Sequence, residues 1–250
     1  MKPIETIAFV INAQKPSAAI LGQQLEQLCR EAGVVYRSTT DYPLKPGFLE
    51  GVDACCVIGG DGTLLSAVPE ALSHDVPVFG INHGKLGFLA VFTEEEARRD
   101  FSKILGGDYR LVERSVLECR SASGQSSLAL NDVVLKSPNT FGLIGLRVSC
   151  DGDLVTDYRA DGLIFSTSTG STAYNLSAGG PVVHPRAHVI TMTPICPHTL
   201  TNRSMVFPHS CVLSVNCISK GASPLVTLDG DESFENDELP LTIRRADQAL

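Results

Sequence analysis

The chain has 250 residues and 43% hydrophobic content, enough for one large domain or two modest ones around packed cores. Its formal net charge of -8 excludes broad nucleic-acid binding, which draws its affinity from Lys and Arg neutralising phosphates. It has no run of about 18 apolar residues and no leader-like N-terminus, so no membrane span or signal peptide is expected and a cytoplasmic protein is.

The first buried-strand candidate is Ile7 to Ile11. Ser17 then opens a segment with Leu21, Leu25 and Leu28 at helical spacing before Gly33. Ala54 to Ile58 reads as a second buried strand. It runs into Gly59-Gly60-Asp61-Gly62-Thr63 and then into a helical face of Leu64, Leu65, Val68, Ala71 and Leu72. Pro69 inside that face removes a backbone donor, so a kinked or shortened helix is expected. Pro77 to Ile81 is the next strand. Thr93 and Glu96 form a capping box ahead of Ala97, Phe101, Ile104 and Leu105, closed by Gly106-Gly107. Strands alternating with helices predict an α/β domain with a mostly parallel sheet over residues 1–110.

Beyond about residue 110 the period changes to two. Ile144, Leu146, Val148 and Cys150 alternate with Gly145, Arg147 and Ser149, and Asp151-Gly152 turns the chain into Leu154 to Arg159. Leu128 to Leu135, Leu163 to Thr167, Cys211 to Cys217 and Leu225 to Leu228 are further strands. Residues 111–250 are therefore expected to form a β-rich domain, with the last residues free to return to the first. The eight cysteines make no C-x-x-C pair and sit mostly in apolar runs, which predicts buried, reduced thiols. The acidic stretch Asp229 to Glu238 reads as a solvated loop.

The turn at Gly59, Gly60, Asp61, Gly62 and Thr63 falls at the carboxyl end of a strand, where open α/β sheets hold ligands. Its glycines let backbone N–H groups approach a phosphate, and the helix start behind them adds positive partial charge. A carboxylate there is repelled by phosphate unless it binds a metal or takes a proton from an attacking hydroxyl, so Asp61 points to phosphoryl transfer. The bland alternative is an ordinary Asp-Gly turn. Neither a Walker A loop nor a Rossmann G-x-G-x-x-G is present.

The run from Tyr158 to Pro181 is rich in small and hydroxylated residues but embeds Tyr174 and Leu176, which suits a binding loop better than a linker. Asn131 and Asp132 place an amide and a carboxylate in a strand segment, a pair able to bind a diol, or else a bulge. Asn82, His83 and Lys85 are loop residues that could contact phosphate or ribose. The histidines show no metalloprotease spacing, and no metal site is expected in the protein itself.

With these motifs in this order, the chain resembles the NAD kinases from its first strand to about Asp231. The most specific stretch is Thr169-Gly-Ser-Thr-Ala-Tyr-Asn-Leu-Ser-Ala-Gly-Gly180. The resemblance implies an α/β domain joined to a β-rich, dinucleotide-binding domain. It implies Asp61 as catalytic base, Gly59, Gly60, Gly62 and Thr63 at phosphate, and Asp61, Gly62, Asn131 and Asp132 as substrate contacts, the last two on NAD. Arg159, Asp161, Thr172, Ala173, Tyr174, Asn175, Leu176 and Ser177 supply the remaining contacts. It implies NAD and ATP as substrates, polyphosphate as an alternative donor, Mg²⁺ or another divalent cation carried with ATP, and a homodimer or homotetramer. Three positions depart from the usual pattern. Asp132 stands where many relatives have Glu, Ser168 where many have Pro, and Asp231 where many have Gln. A lipid kinase shares the glycine-aspartate turn but needs an apolar entrance that the sequence does not provide. A non-catalytic NAD sensor would have no use for Asp61.

Overall fold

A computed structural model describes residues 1–82, 87–138, 142–198, 203–232 and 239–250. The chain divides into two compact units, Met1–Glu113 with Leu250, and Arg114–Ala249.

The first unit is built on four parallel strands, β1 (Thr6–Ile11), β2 (Val35–Thr39), β3 (Ala54–Gly59) and β4 (Val78–Asn82), in the order β2-β1-β3-β4. β3 is buried along its whole length, as a parallel strand covered on both faces must be. Helix α1 (Pro16–Ala32) begins with Pro at its first position rather than at Ser17, and ends on Gly33 in the left-handed conformation at φ 71°. Its buried face carries Leu21, Leu25 and Cys29. Gly22 lets it lie close on the sheet, since a Cβ there would meet Ile11 Cδ1 at 2.6 Å.

The helical face after β3 is not one helix. It divides into α2 (Asp61–Leu65) and α3 (Val68–His74), with Pro69 in the first turn of α3, where its missing N–H costs nothing. Helix α4 (Glu94–Leu105) starts on the expected capping box, Thr93 Oγ1 accepting from Glu96 N–H at 3.2 Å and Glu96 Oε2 from Thr93 N–H at 2.9 Å. Phe9, Phe101, Leu21, Leu25 and Ile58 share one buried cluster.

The second unit contains two antiparallel sheets. β5 (Ser115–Arg120), β6 (Ser126–Ala129), β8 (Ile144–Cys150), β9 (Asp153–Ala160), β13 (Leu213–Cys217) and β16 (Leu241–Ala249) form the sheet β6-β5-β16-β13-β8-β9. β7 (Asp132–Lys136), β10 (Gly162–Thr167), β11 (Val189–Ile195), β12 (Met205–Pro208), β14 (Leu225–Leu228) and β15 (Asp231–Glu232) form β12-β11-β10-β7-β14-β15. Leu117, Leu135, Leu146, Phe165, Val215 and Ile243 come from both sheets into a single buried cluster, so each sheet turns one apolar face to the other.

Three expectations are corrected here. Leu128 to Leu135 is not one strand, because the chain breaks at Leu130 and Asn131 between β6 and β7. The run after β10 is a 3-10 turn (Gly170–Thr172) followed by the short helix α5 (Tyr174–Ser177), not an open loop. Of the cysteines, Cys29, Cys55, Cys56 and Cys119 are buried, while Cys150, Cys211 and Cys217 are half-buried and Cys196 is exposed.

Candidate active site

In the first unit β1 is followed by a crossover to β2 on one side, while β3 lies on its other side. The chain therefore reverses direction across the sheet between β1 and β3. That is the switch point at which open α/β sheets leave a crevice beyond the strand ends, and Gly59 to Thr63 begins there.

The glycines of this turn serve different ends. A Cβ on Gly59 would meet Thr63 Oγ1 at 2.7 Å, so Gly59 is required by packing. Gly60 and Gly62 have nothing within 4 Å of an added Cβ, and Gly60 lies in ordinary extended backbone at φ -126°. Neither packing nor backbone conformation demands glycine at 60 or 62, and the space beside them admits a ligand close to the main chain. Thr63 is buried, its Oγ1 accepting from Asn12 Nδ2 at 3.2 Å. Asn12 Oδ1 accepts in turn from Gln14 N–H at 3.0 Å and from Tyr42 Oη at 3.4 Å. The Thr63 side chain thus braces the turn against the end of β1. Sequence reasoning missed Asn12 and Tyr42, whose placement depends on a strand order that the sequence does not display. The five-residue length of α2 leaves little helix dipole, so any phosphate here relies on the backbone amides of the turn.

Asp61 sits at the first position of α2. Its Oδ2 accepts from Phe88 N–H at 2.9 Å, and its Oδ1 from Leu89 N–H at 3.2 Å and Ala90 N–H at 3.0 Å. This arrangement is built by close approaches. A Cβ at Gly80 would meet Ala90 Cα at 2.7 Å, so glycine lets the segment ahead of α4 lie along β4, where Asn82 N–H donates to Phe92 O at 2.7 Å. Gly87 faces Asp61 directly, and any Cβ there would collide with the carboxylate. A carboxylate has about four lone-pair directions, and three are taken, which leaves one on Oδ2. Of the loop candidates, Asn82 is buried at the end of β4, while His83 and Lys85 lie outside the described residues.

In the second unit the break between β6 and β7 is held by a carboxylate far along the chain. Asp229 Oδ2 accepts from Leu130 N–H at 2.7 Å, and Oδ1 from Asn131 N–H at 2.7 Å and Asp132 N–H at 3.0 Å; Asp229 N–H returns to Asp132 O at 3.0 Å. Asp229 is thus not part of a solvated loop, and residues 233–238 fall outside the described residues. The only sequence signal for it was the Asp229-Gly230 pair. From the other side, Thr167 N–H donates to Asn131 O at 2.9 Å, Thr167 Oγ1 to Leu130 O at 2.6 Å, and Gly170 packs so tightly on Asn131 that a Cβ would clash. Asn131 and Asp132 are both buried. Burial first, and then the charge of Asp229, raise the Asp132 carboxyl to about 7, while Lys136 opposes the shift.

The run after β10 folds back beside this pair. Asn175 is buried, its Nδ2 donating to Ser171 O at 3.2 Å and Pro181 O at 3.1 Å, and its Oδ1 accepting from Thr193 Oγ1 at 2.7 Å. Asn175 therefore pins α5 and has little left for a ligand. Thr172, Ala173 and Tyr174 are half-buried, Leu176 and Ser177 are exposed, and Lys136 Nζ lies 4.5 Å from the Tyr174 ring centroid.

Arg159 and Asp161 are both exposed. Asp132 pairs with Ser166 at one end of the β7/β10 pair, whereas Asp161 precedes Gly162 at the other, its carbonyl accepting from Ser137 N–H at 2.8 Å. Four strand steps separate those ends by roughly 14 Å. The structure brings Asn131 and Asp132 together with the turn that leads into α5, and sets Asp161 beside Gly162 at the far end of the β7/β10 pair, the end where Lys136 reaches Tyr174.

The ATP-NAD kinase N-terminal domain family matches residues 5–109, and the ATP-NAD kinase C-terminal domain family matches residues 130–244. The NAD kinase of Symbiobacterium thermophilum is 38% identical over 242 residues, which is 91% of this chain and 85% of that protein. The crystal structure of yeast NADH kinase complexed with NADH superposes with a TM-score of 0.87 at 27% identity, covering 98% of this chain and 81% of that one. An NAD kinase from Archaeoglobus fulgidus in complex with ATP gives 0.84 at 26% identity, covering 98% and 91%. An open glycine turn, a clamped carboxylate within it and matches spanning both units lead to one conclusion: the chain belongs to the NAD kinase family, whose reaction is the phosphorylation of NAD.

Proposed function

We propose that this chain transfers the γ-phosphoryl group of ATP to the 2′-hydroxyl of the adenosine ribose of NAD, with Asp61 as the proton acceptor. The 2′-oxygen forms a bond to the γ-phosphorus while the bond from that phosphorus to the bridging oxygen breaks. ADP leaves, and the hydroxyl proton passes to Asp61. The observation that carries this reading is the Asp61 carboxylate, aligned by three amides with one lone-pair direction left on Oδ2, in a turn whose Gly60 and Gly62 leave room for phosphate. Phosphoryl transfer asks little covalent chemistry of the protein, so alignment and charge stabilisation account for most of the acceleration.

Gly59 and Thr63 form the turn, and Gly60 and Gly62 offer its amides to the phosphates. Asn131, Asp132 and the segment from Thr172 to Ser177 hold NAD, Asn175 acting through the position of α5. Arg159 and Asp161 contact a more distant part of the dinucleotide. Mg²⁺ or another divalent cation arrives with ATP as part of the substrate and neutralises charge as it develops. The protein works in the cytoplasm as a homodimer or homotetramer, a placement that suits eight cysteines free of disulfides. Among the described residues no helix is long and apolar enough to cross a membrane.

The test is NADP formation from NAD, ATP and Mg²⁺, followed through an NADP-specific dehydrogenase. A parallel arm with polyphosphate separates the two donors. Asp61→Asn is expected to lower kcat by about 10²- to 10⁴-fold while NAD still binds. Near-normal turnover in that variant would rule out the proton-acceptor role, and NAD binding without turnover in the wild type would favour a sensor.

A further inference from the structure

The β8–β9 hairpin turns at Asp151 and Gly152, both in the left-handed region at φ 51° and φ 93°. This turn carries the Asp151 side chain back toward the segment that enters β13. Asp151 N–H donates to Val212 O at 2.9 Å, and Asp151 Oδ1 accepts from Val212 N–H at 2.9 Å. Strand pairing places Cys150 opposite Leu213, so residues 150 and 151 are fixed against the chain just beyond Cys211. As a result, the Cys150 sulfur, the Cys211 sulfur and a carboxylate oxygen of Asp151 lie within 4.8 Å of one another, with Asp151 Oδ2 at 3.8 Å from Cys150 Sγ.

We propose that Cys150, Cys211 and Asp151 form a binding site for a thiophilic divalent cation of the Zn²⁺ type, with water as the fourth ligand. In a tetrahedral Zn²⁺ site with metal–sulfur bonds near 2.3 Å, two sulfurs stand about 3.8 Å apart and a sulfur and an oxygen about 3.5 Å. The three atoms need to draw in by only about an ångström to meet those values. Asp151 Oδ1 is already held by Val212, which fixes the carboxylate and leaves Oδ2 for the metal, the kind of outer support that orients metal ligands. Cys150 and Cys211 are half-buried and Asp151 is exposed, so water can reach the remaining position.

The donor chemistry supports the same assignment, since two thiols and a carboxylate are all stabilised as anions by one cation among them. The set also separates this site from the cation carried with ATP, since Mg²⁺ takes oxygen ligands and thiolates select softer metals. A metal here would join the β8–β9 hairpin to the start of β13, and so act on the second unit's framework rather than on the transfer step.

The full-length protein, stripped with a chelator and kept in a phosphine reductant, would be titrated with Co²⁺ and followed by absorption. The expected result is a near-ultraviolet thiolate-to-cobalt band that saturates at one ion per chain and is bleached by Zn²⁺. Cys150→Ser and Cys211→Ser should each abolish the band, and Asp151→Asn should weaken Co²⁺ binding by at least about 10-fold. Far-ultraviolet circular dichroism on each variant separates loss of the site from loss of the fold. No thiolate band in the wild type, a band that survives both serine variants, or a Cys150–Cys211 disulfide mapped in the presence of the reductant would each overturn the proposal.

Discussion

Asp61 was visible in the sequence as a carboxylate out of place among glycines, but the amides that hold it were not. Phe88, Leu89 and Ala90 are 27 to 29 residues away, and only the close packing at Gly80 and Gly87 brings them to it. This dependence makes Gly87 the sharper probe of alignment. Gly87→Ala adds a Cβ that the Asp61 carboxylate must move to accommodate, and a shift of about an ångström in a reacting group can cost on the order of 10²-fold in rate. We expect Gly87→Ala to lower kcat by about that factor with KM for NAD nearly unchanged; wild-type kcat would mean that the exact seat of Asp61 is unimportant. Asp132 offers a second test at this scale. Its carboxyl is raised from 3.8 to about 7 in the fold, so folding takes up a proton there, and the stability present at low pH is lost as pH rises from about 4 to about 7. Asp132→Asn cannot ionise and should escape that loss. Its melting temperature should exceed that of the wild type above pH 7, by an amount worth on the order of 2–4 kcal/mol, and the gap should close near pH 4. A gap that does not vary with pH would count against the buried, neutralised carboxyl.

Regular elements were legible where a period repeated, and junctions were not. The parallel unit could be read because β3 and β4 are continuous apolar runs and α4 carries its own capping box. β2, β5, β11 and β16 went unseen because polar residues interrupt them, and β12 because it is only four residues long; long-range pairing, not local pattern, keeps them extended. At Leu130 and Asn131 the polar pair Asn131-Asp132 left a bulge open as an alternative, but what holds the break is Asp229, roughly a hundred residues further on. Asp229 is therefore a positioning residue for Asn131 and Asp132, acting through the backbone that carries them. Asp229→Asn replaces one accepting oxygen with a donor that cannot serve an N–H. It should cost about 1–3 kcal/mol of stability and raise KM for NAD by roughly 10-fold. Removing the negative charge of Asp229 also eases ionisation of Asp132, so the Asp132-linked pH dependence should move to lower pH. A purely structural role would lower the melting temperature and leave both KM and the pH profile where they were.

At the level of the whole molecule, the change of hydrophobic period near residue 110 signalled two kinds of architecture. The contact boundary falls between Glu113 and Arg114. Strand order and the partition of the second half into two sheets were not legible, because an alternating pattern identifies a buried face without naming what it packs against. Each unit nevertheless has its own buried cluster, and that of the second draws on strands of both its sheets, from Leu117 to Ile243. Among the described residues the pairing of β5 to β16 is internal to Arg114–Ala249, including the antiparallel match of β16 to β5. Glu118 joins them there. Burial alone would raise its carboxyl, but hydrogen bonds from Arg120, Ser126 and Arg244 outweigh that and hold it at about 2, so the cluster persists at neutral pH. A chain comprising residues 114–249 alone should fold, showing β-type circular dichroism and a cooperative thermal transition. It should form no NADP, because Asp61 and the glycine turn are absent from it. A non-cooperative melt with exposed apolar surface would show that the second unit depends on the first for its stability.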